Sequence, residues 1–512
     1  MKSRDPKSKI VSLDDLANIA AKDREAGKKV VLCHGVFDLL HMGHVRHLQA
    51  ALAEGDVLAV TITTESHVNK GPGRPVFNDE MRAEMLAALE QVDWIAVSPY
   101  PSAEKIIDSI KPSIYVKGSD YANPEDDITN KIVAERDAVE RHGGKVVFTN
   151  DITFSSSSLI NQHLDVFDPE LRDYLSGARA HGMEEKIAKA LNDVKDLNVL
   201  VVGDAIIDEY QYVNAMGKSA KEHMIATRFI SREQFAGGVF AAANHIASIC
   251  NKVDILTVLG SDDSQEDFIR SQLCENVELI PFMRPNTPTT RKCRFVDGGY
   301  MRKLFETYYF DDTPIQPEVR DPLIDYISRK ARDYDLVVVT DFGHGMLDQE
   351  SIAALSNHSK FLCVNTQTNS ANHGYNMVTR YPKADFICID APEAQLAAQD
   401  RFSRVEDILT QTLAKRIDCQ RFIITHGKMG CVVFDKKDSL VRIPAFTKTV
   451  VDTVGAGDAF FSIAAPLAAV GTPMEVAAFA GNAAGAIKVG IVGHRKSVEK
   501  IPLVKYVTTL LK

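Results

Sequence analysis

The chain has little of what marks membrane proteins or nucleic-acid-binding proteins. Among its 512 residues there is one tryptophan, and its 59 Lys and Arg are outnumbered by 69 Asp and Glu, which gives a formal net charge of −10. This balance disfavours general binding to nucleic acid or to an anionic membrane surface. No apolar run is long enough to span a bilayer, because prolines and glycines interrupt the alanine-rich stretch 459–486. We therefore expect neither nucleic acid nor a membrane as a partner.

Paired cysteines are also missing. The eight cysteines are scattered, mostly within apolar runs, and none forms a C-x-x-C pair. Disulfide and zinc frameworks need regularly spaced cysteines, so these are expected to be buried free thiols in a reducing compartment. Residues 1–9 are polar and basic, and no apolar segment follows them. The sequence therefore predicts a cytoplasmic protein.

One stretch near the C-terminus does suggest chemistry. Residues 450–460 read V-V-D-T-V-G-A-G-D-A-F, an apolar run followed by a Gly-Ala-Gly turn and the start of a small-residue helix. Glycines at 455 and 457 let the backbone approach a ligand, and the N–H groups of a helix start favour anionic oxygens. Asp458, in the first turn, is expected to be kept ionised by the helix dipole. A carboxylate beside an anion hole suits phosphorylation of a hydroxyl, with Asp458 as the base.

The full pattern D-T-x-G-A-G-D-x-F resembles the C-terminal signature of the ribokinase-type (PfkB) sugar kinases. This resemblance implies an ATP-dependent kinase of the ribokinase-like α/β fold with a small lid, over residues 198–512. It implies sugar contacts at Asp204, Asp208, Gly237, Gly238 and Asp341. It implies nucleotide contacts at Thr425, Gly427, Gly455, Ala456, Gly457 and Asn482. Asp390 and Glu393 stand where the family supports Mg²⁺ through water.

Three positions depart from that family's pattern. Ala241 stands where the family has an asparagine, and Asn244 lies one turn further along. His344 replaces a lysine, and Asn365 begins an amide-rich segment that replaces D-P-K/R-G. These substitutions leave open a second interpretation, in which this half binds a sugar or nucleotide, or forms the dimer, without catalysis.

The N-terminal half carries a second motif. A buried strand, 29–33, runs into H-G-V-F-D-L-L-H-M-G-H, and a helix and another strand follow, which is a βαβ unit with its site at the strand's carboxyl end. His41 and His44, at i and i+3, could contact the same ligand. A metal site and chance surface histidines are the alternatives, although no third ligand of usual zinc spacing follows.

This motif resembles the G-x-F-D-x-x-H-x-G-H signature of the cytidylyltransferase-like nucleotidyltransferases, a Rossmann-like α/β family. Further resemblances are the basic loop 70–76, the K-G-x-D-Y segment that starts at residue 117, and the serine run 155–158. The resemblance implies that ATP or CTP, with Mg²⁺, is bound by Gly35, Phe37, Asp38, Lys70, Lys117, Ser155 and Ser156. Catalysis would fall to His41 and His44, which would stabilise charge on the transferring group and on the leaving pyrophosphate.

Together the two halves resemble the bifunctional heptose-phosphate kinase/nucleotidyltransferases, with the domain order reversed. The predicted organisation is an N-terminal helix (1–27), a nucleotidyltransferase domain (28–162), a helical linker (163–197) and a kinase domain (198–512). The implied function is phosphorylation of a sugar or sugar phosphate and nucleotidyl transfer to a sugar 1-phosphate, in a homodimer. The alternative is a cytidylyltransferase for a phospho-alcohol, of the glycerol or ethanolamine phosphate type, whose kinase-like half is a non-catalytic module.

Overall fold

Runs of β-branched and other apolar residues form the strands of the first of two units, Met1–Asp168. The computed structural model describes residues 5–68, 74–100, 102–118, 131–149, 167–299, 301–311, 313–437 and 440–512. The first unit has five parallel strands: β1 (Val30–Gly35), β2 (Val57–Thr63), β3 (Trp94–Ser98), β4 (Ile114–Gly118) and β5 (Lys145–Thr149). Their order is β3-β2-β1-β4-β5. The order reverses between β1 and β4, and in such sheets ligands bind at the carboxyl ends of the strands at this point.

Helices cover both faces of this sheet, as buried parallel strands require. They are Leu13–Glu25, Met42–Leu52, Asp79–Ala87, Glu104–Ile110 and Lys131–Arg141. Ser12 and Asn78 cap two of the helix starts, since each side chain accepts a hydrogen bond from a backbone N–H of the first turn.

The second unit, Pro169–Val507, is built on a nine-stranded sheet. Its strands are β6 (Asn198–Gly203), β9 (Lys252–Gly260), β10 (Val277–Arg284), β13 (Leu336–Asp341), β14 (Leu362–Thr366), β15 (Phe386–Asp390), β16 (Arg421–Thr425), β17 (Cys431–Asp435) and β18 (Leu440–Ile443). The order is β10-β9-β6-β13-β14-β15-β16-β17-β18, parallel as far as β16 and antiparallel beyond it. The carboxyl ends of the parallel strands therefore share one edge.

The second unit also contains a separate four-stranded sheet. It contains β7 (Ala205–Lys218), β8 (Ile225–Gly238), β11 (Arg291–Asp297) and β12 (Arg302–Tyr309), in the order β12-β11-β7-β8. We call it the small sheet. Because β7 starts two residues after β6 ends, the small sheet begins directly beside the carboxyl edge of the main sheet.

The α-helices described in the second unit are Pro169–Ala180, Met183–Asp193, Val239–Ala247, Glu266–Gln272, Pro317–Lys330, Gln349–His358, Ala391–Ala398, Ala456–Ala469, Met474–Lys488 and Lys500–Leu511, and a distorted helix over 405–416. Several of them contact strands of the main sheet directly, including Val239–Ala247, Ala456–Ala469 and Met474–Lys488. Ile408–Leu413, in the middle of that distorted helix, is π-helical.

The segment interpreted as a linker, 163–197, contains two helices that belong to the second unit. Leu171, Leu175 and Ile187 are buried. Tyr174 stacks on Phe446 and Phe479, with ring centroids 6.4 and 6.2 Å apart, and donates a hydrogen bond to Glu475. An apolar helix face covered in this way is part of a domain core, so from Pro169 onward these residues are not a free linker.

The α/β fold class predicted for both halves is confirmed. Within the described residues, no helix combines the length and apolar character needed to cross a bilayer. All eight cysteines are free, and all except Cys274 are buried.

The single tryptophan makes independent folding of the first unit testable. Trp94 starts β3, so its fluorescence reports only that unit. We expect a fragment of residues 1–168 to unfold cooperatively in urea, with the same fluorescence midpoint as the full chain, because its core is internal. A fragment without a cooperative transition would mean that this unit needs the rest of the chain.

Candidate active sites

The Gly-Ala-Gly turn lies at the start of the helix Ala456–Ala469, on the carboxyl edge of the main sheet. Gly455 has φ of +76°, and a Cβ there would lie 2.5 Å from Cε1 of His494. Only glycine fits this position. A Cβ at Gly457 would meet nothing within 4 Å, so the space beside that residue is open. The turn therefore presents helix-start N–H groups beside open space, as anion binding requires.

Asp458 is buried in the first turn of this helix. Nε2 of Gln367 donates a hydrogen bond to its Oδ1 at 2.5 Å. Burial raises the pKa of Asp458, and nearby Asp208 adds to this effect, whereas His494, Gln367 and Lys488 oppose it. The helix dipole, on which the expected ionisation of Asp458 rests, acts in the opposite direction, but burial is the largest effect on this pKa.

Asp452 fixes two backbone positions beside the turn, Val454 and Gly493. It accepts hydrogen bonds from N–H of Val454 at 3.1 Å and from N–H of Gly493 at 2.9 Å. Tyr210 Oη and Lys303 Nζ, both from the small sheet, lie 2.7 Å from its oxygens. Burial acts to raise the pKa of Asp452, but these donors outweigh it and lower the pKa to about 2.

Asp208, predicted to contact the sugar, lies close to Asp458 but is already ion-paired. Arg294 from β11 donates to its Oδ1, and Nε2 of His494 lies 3.3 Å from Oδ2. Burial acts to raise the pKa of Asp208, but Arg294 and His494 hold it well below the usual range. A Cβ at Gly237 would lie 2.1 Å from Oδ2 of Asp208, so this glycine allows the carboxylate its place.

Asp204 and Asp341 hold the loop that follows β13. Asp204 accepts from N–H of Phe342 at 2.8 Å, and burial together with Asp341 raises its pKa to about 7. Asp341 accepts from N–H of Gly343 at 2.9 Å and from Tyr381 Oη at 2.8 Å. Burial raises the pKa of Asp341, although Arg380 acts against this.

A cavity of about 30 Å³ lies beside Asp204 and is lined by Arg284, Thr289 and His344 among others. Within the described residues, neither ring nitrogen of His344 has a hydrogen-bond partner, and burial lowers the pKa of His344 to about 3. A neutral imidazole therefore stands where the resembled family has a lysine.

Asn244 does not supply the asparagine that is absent at Ala241. Its amide donates to the carbonyl of Gln272 at 2.9 Å, and its oxygen accepts from N–H of Cys274 at 3.0 Å. Both ends of the side chain are therefore committed to local structure.

The amide-rich segment 365–376 joins three parts of this edge. Gln367 reaches Asp458, and N–H of Thr368 donates to Oε1 of Glu393 at 3.1 Å. Asn372 donates to the carbonyl of Phe342 at 2.7 Å. Asn365 donates to the carbonyl of Cys388 at 2.7 Å. The segment thus replaces the charges of D-P-K/R-G with a set of amide hydrogen bonds.

Three further predicted residues lie together at the ends of adjacent strands. Asp390 ends β15 and pairs in register with Thr425 at the end of β16, and Gly427 follows two residues later. Asp390 and Glu393 form a capping box on the helix Ala391–Ala398. Burial and the neighbouring Asp390 raise the pKa of Glu393 to about 8. Two carboxyl groups that share a site in this way suit a divalent cation held through water.

Asn482, predicted to line the adenine pocket, lies in the helix Met474–Lys488. Its amide donates to the carbonyl of Pro444 at 2.8 Å. The contact ties the helix to the segment that follows β18.

In the first unit, His41 and His44 lie together at the start of the helix Met42–Leu52. Their ring centroids are 4.1 Å apart, and Nδ1 of His41 accepts from N–H of Gly43 at 3.1 Å. Burial lowers the pKa of His41. The ring of Phe37 lies 5.5 Å from that of His44, at the end of β1.

The metal alternative for these histidines gains no support. His34 Nδ1 is 2.9 Å from Thr61 Oγ1, and His47 Nδ1 is 2.8 Å from Thr149 Oγ1. In the part of the chain that the structure describes, no three His, Cys, Asp or Glu side chains are grouped as metal ligands.

Asp38 and Arg82 hold the motif loop from inside. Asp38 accepts from N–H of Val76 at 2.8 Å and from N–H of Phe77 at 3.2 Å. The fully buried Arg82 donates to the carbonyls of Val36 at 2.6 Å and Thr63 at 2.9 Å, among other groups. The carboxylate predicted to contact the nucleotide therefore fixes the backbone beside it.

Lys117, at the end of β4, pairs with the buried Glu135 at 2.9 Å. A Cβ at Gly35 would lie 3.2 Å from the ring of Phe37, so the glycine admits that ring. Lys70, Ser155 and Ser156 lie outside the described residues, and their predicted roles stay predictions.

Sequence reasoning missed several members of the second site: Gln367, Arg294, Lys303, Lys488 and His494. One of them did carry a signal, because Lys488 ends an otherwise apolar, alanine-rich run where a lone cation is unusual. The others come from segments far apart in the chain.

The nine-stranded sheet, the small sheet and the Gly-rich helix start together define the ribokinase-like class of α/β fold. Residues 196–501, more than half of the chain, match the pfkB family carbohydrate kinases, and the chain belongs to that family. Residues 32–163 match the cytidylyltransferase-like family.

Curated relatives match mainly the N-terminal part. The bifunctional protein HldE of Geobacter metallireducens is 37% identical over 172 residues, which cover 32% of this chain and 33% of that protein. HldE of Citrifermentans bemidjiense is 39% identical over 160 residues, 31% of each chain. The chain thus spans about a third of the length of the curated relatives it matches.

Among solved structures, phosphofructokinase-2 from Escherichia coli in complex with potassium aligns with a TM-score of 0.50 and 14% identity. The alignment covers 62% of this chain and 100% of that one. At this identity the likeness concerns the fold alone.

The buried Arg82 gives a stability prediction. Arg82→Met keeps the length of the side chain but leaves buried carbonyls without donors, so the first unit should lose about 2–4 kcal/mol of unfolding free energy. Urea unfolding followed by Trp94 fluorescence measures this loss. Arg141→Met removes an exposed ion pair with Asp108 and should cost less than about 1 kcal/mol. Equal effects of the two substitutions would contradict the internal role of Arg82.

Proposed function

We propose that the chain is a bifunctional sugar-activating enzyme, related to the heptose-phosphate kinase/nucleotidyltransferases but with the two domains in reversed order. The second unit transfers the γ-phosphoryl group of ATP to a hydroxyl of a sugar or sugar phosphate. The first unit joins a sugar 1-phosphate to a nucleoside monophosphate from ATP or CTP and releases pyrophosphate. Family membership and the two site geometries support this proposal.

The position of Asp458 is the observation on which the proposed kinase activity depends. It is a buried carboxylate in the first turn after Gly455-Ala456-Gly457, beside open space at Gly457. The attacking hydroxyl gives its proton to Asp458, its oxygen bonds to the γ-phosphorus, and ADP leaves. Burial raises the pKa of Asp458, which makes it a stronger base than an exposed carboxylate.

In the first unit, the proposed nucleotidyl transfer depends on the paired rings of His41 and His44. A phosphate oxygen of the sugar 1-phosphate attacks the α-phosphorus, and the bond to pyrophosphate breaks. The two imidazoles, 4.1 Å apart at a helix start, donate hydrogen bonds to the oxygens on which charge develops.

Both families generally use ATP and Mg²⁺. In this chain Asp390 and Glu393 would hold Mg²⁺ through water, where it would neutralise the phosphates of the nucleotide. The position of these two carboxyl groups at the carboxyl end of β15, beside Thr425, supports this assignment.

The proposal includes a cytoplasmic homodimer. Large apolar side chains are exposed on the small sheet, among them Met216, Ile225, Phe229, Phe305 and Tyr309. An exposed apolar set of this kind is typical of a protein–protein contact, and it supports pairing of two chains there.

A second candidate is a cytidylyltransferase for a phospho-alcohol, with a kinase-like half that binds without catalysis. The observation in its favour is that Asp208, expected to receive a sugar hydroxyl, is already paired with Arg294 and His494. The neutral His344 and the amide at Asn365 favour the same idea.

We expect His44→Asn to lower pyrophosphate release at least about a hundredfold, the scale of losing one transition-state donor. Release of pyrophosphate from ATP or CTP is measured with a panel of sugar phosphates and phospho-alcohols. Trp94 fluorescence should show unchanged stability, and ADP formation by the same sample should be unaffected. Near-normal turnover would remove His44 from the reaction, and zinc at stoichiometric level would restore the metal interpretation.

We expect Asp458→Asn to retain ATP binding and to lose sugar-dependent ADP formation by at least about a hundredfold, because the base is removed while the size is kept. In the wild type, ADP formation should fall on acidification at a higher pH than for an ordinary aspartate, since the raised pKa protonates the base earlier. Pyrophosphate release is the internal control. A wild type that binds a sugar or sugar phosphate yet forms no ADP with any of the panel would establish the second candidate instead.

A further inference from the structure

A buried lysine next to the Gly-Ala-Gly turn has no part in the chemistry described above. Lys488 is the last residue of the helix Met474–Lys488, and its side chain is completely buried. Its Nζ donates to the carbonyl oxygen of Val454 at 2.9 Å and to that of Gly493. Because a buried ammonium group is costly unless it is well paired, these contacts need an explanation.

The two residues that Lys488 contacts are those that Asp452 contacts from the opposite direction. The carboxylate of Asp452 accepts from the N–H groups of Val454 and Gly493, while Lys488 donates to their carbonyls. Each of the two residues is therefore held by an anion at its N–H and by a cation at its C=O. Val454 directly precedes Gly455, so this double clamp fixes the entry to the anion hole.

Several negative charges also surround the position of Lys488. Asp452, Asp458 and Asp208 all lie near Lys488, and an incoming nucleotide adds negative phosphates at the turn. Burial lowers the pKa of Lys488, and the three carboxylates oppose this by favouring its charged form. Backbone carbonyls directed at one point, with carboxylates nearby, are also the surroundings that bind a free monovalent cation such as K⁺.

We propose that Lys488 is a tethered cation that sets the geometry of the anion hole, so that phosphate binding at the turn needs no free monovalent cation. Lys488 is a positioning residue: it acts through Val454 and Gly493 and does not touch the reacting atoms. The inference rests on the proposed kinase site, but its first consequence concerns nucleotide binding, which can be measured without turnover.

The test compares full-length proteins in tetramethylammonium buffer with and without potassium or ammonium chloride, at matched ionic strength. Affinity for a non-hydrolysable ATP analogue with Mg²⁺ is measured by calorimetry, and ADP formation is followed in parallel. Wild type should give the same values in all three salts. A wild type whose nucleotide affinity rises several-fold when K⁺ is added would overturn the proposal, whatever the variants do.

Two substitutions at Lys488 distinguish the loss of its charge from the space that its side chain leaves. Lys488→Ala leaves room for an ion, so nucleotide affinity should fall at least about tenfold and should be restored largely by K⁺ or NH₄⁺. Lys488→Met fills the space with an uncharged chain and should show the same loss without rescue. Lys496→Ala, at an exposed lysine, should behave as wild type.

A purely structural lysine predicts a different result. Lys488→Ala would then melt earlier and bind nucleotide poorly in every salt, without ion rescue, and the proposal would be wrong. If wild type forms no ADP but the affinity pattern holds, the kinase assignment fails while the tethered-cation inference stands.

Discussion

Buried negative charge at the carboxyl edge of the nine-stranded sheet is the constraint on which the rest of the second unit depends. Five aspartates are buried there, namely Asp204, Asp208, Asp341, Asp452 and Asp458. A buried carboxylate is stable only if cations or hydrogen-bond donors replace water. The cations come from distant parts of the chain, including Arg294, Arg380 and Lys488. Much of the tertiary structure around the edge can be read as a way of bringing these partners together.

In the first unit the buried charge is positive, and backbone carbonyl oxygens stabilise it. Arg82 donates to the backbone carbonyls of Val36 and Thr63, where it replaces the donors that water would supply. Asp38 accepts hydrogen bonds from the N–H groups of Val76 and Phe77, which precede the helix Asp79–Ala87. Both units therefore fix an irregular loop beside a helix start with charged side chains that contact the backbone. Such loops are rigid without being regular, which suits a site that must meet phosphates at a fixed distance.

Local patterns predicted much of this arrangement. A strand follows the motif helix in the first unit, as the βαβ pattern predicts, and Gly455 and Asp458 lie where the Gly-rich pattern places them. The α/β class of both halves and the closeness of His41 to His44 likewise follow from residues close together in the sequence. Propensity, hydrophobic period and turn chemistry act over a few residues, and this is why these predictions succeed.

The remainder depends on contacts between remote segments. Nothing near Asp208 in the sequence indicates that Arg294 and His494 will contact it. The segment 163–197 looked polar enough for a linker, yet Tyr174 finds aromatic partners at Phe446 and Phe479. Similarly, the helix dipole at Asp458 is visible in the sequence, whereas the burial that raises its pKa is a property of the fold.

Part of the attachment of the small sheet to the main body runs through the site itself. Asp208, Tyr210 and Lys303 belong to the small sheet, whereas their partners His494 and Asp452 belong to the body. The pair between Asp208 and Arg294 lies wholly within the small sheet and moves with it. Separation of the small sheet from the body would therefore break the first set of contacts and keep the second. The electrostatics of the site and the attachment of the small sheet are consequently linked, and a change at Asp452 alters both together.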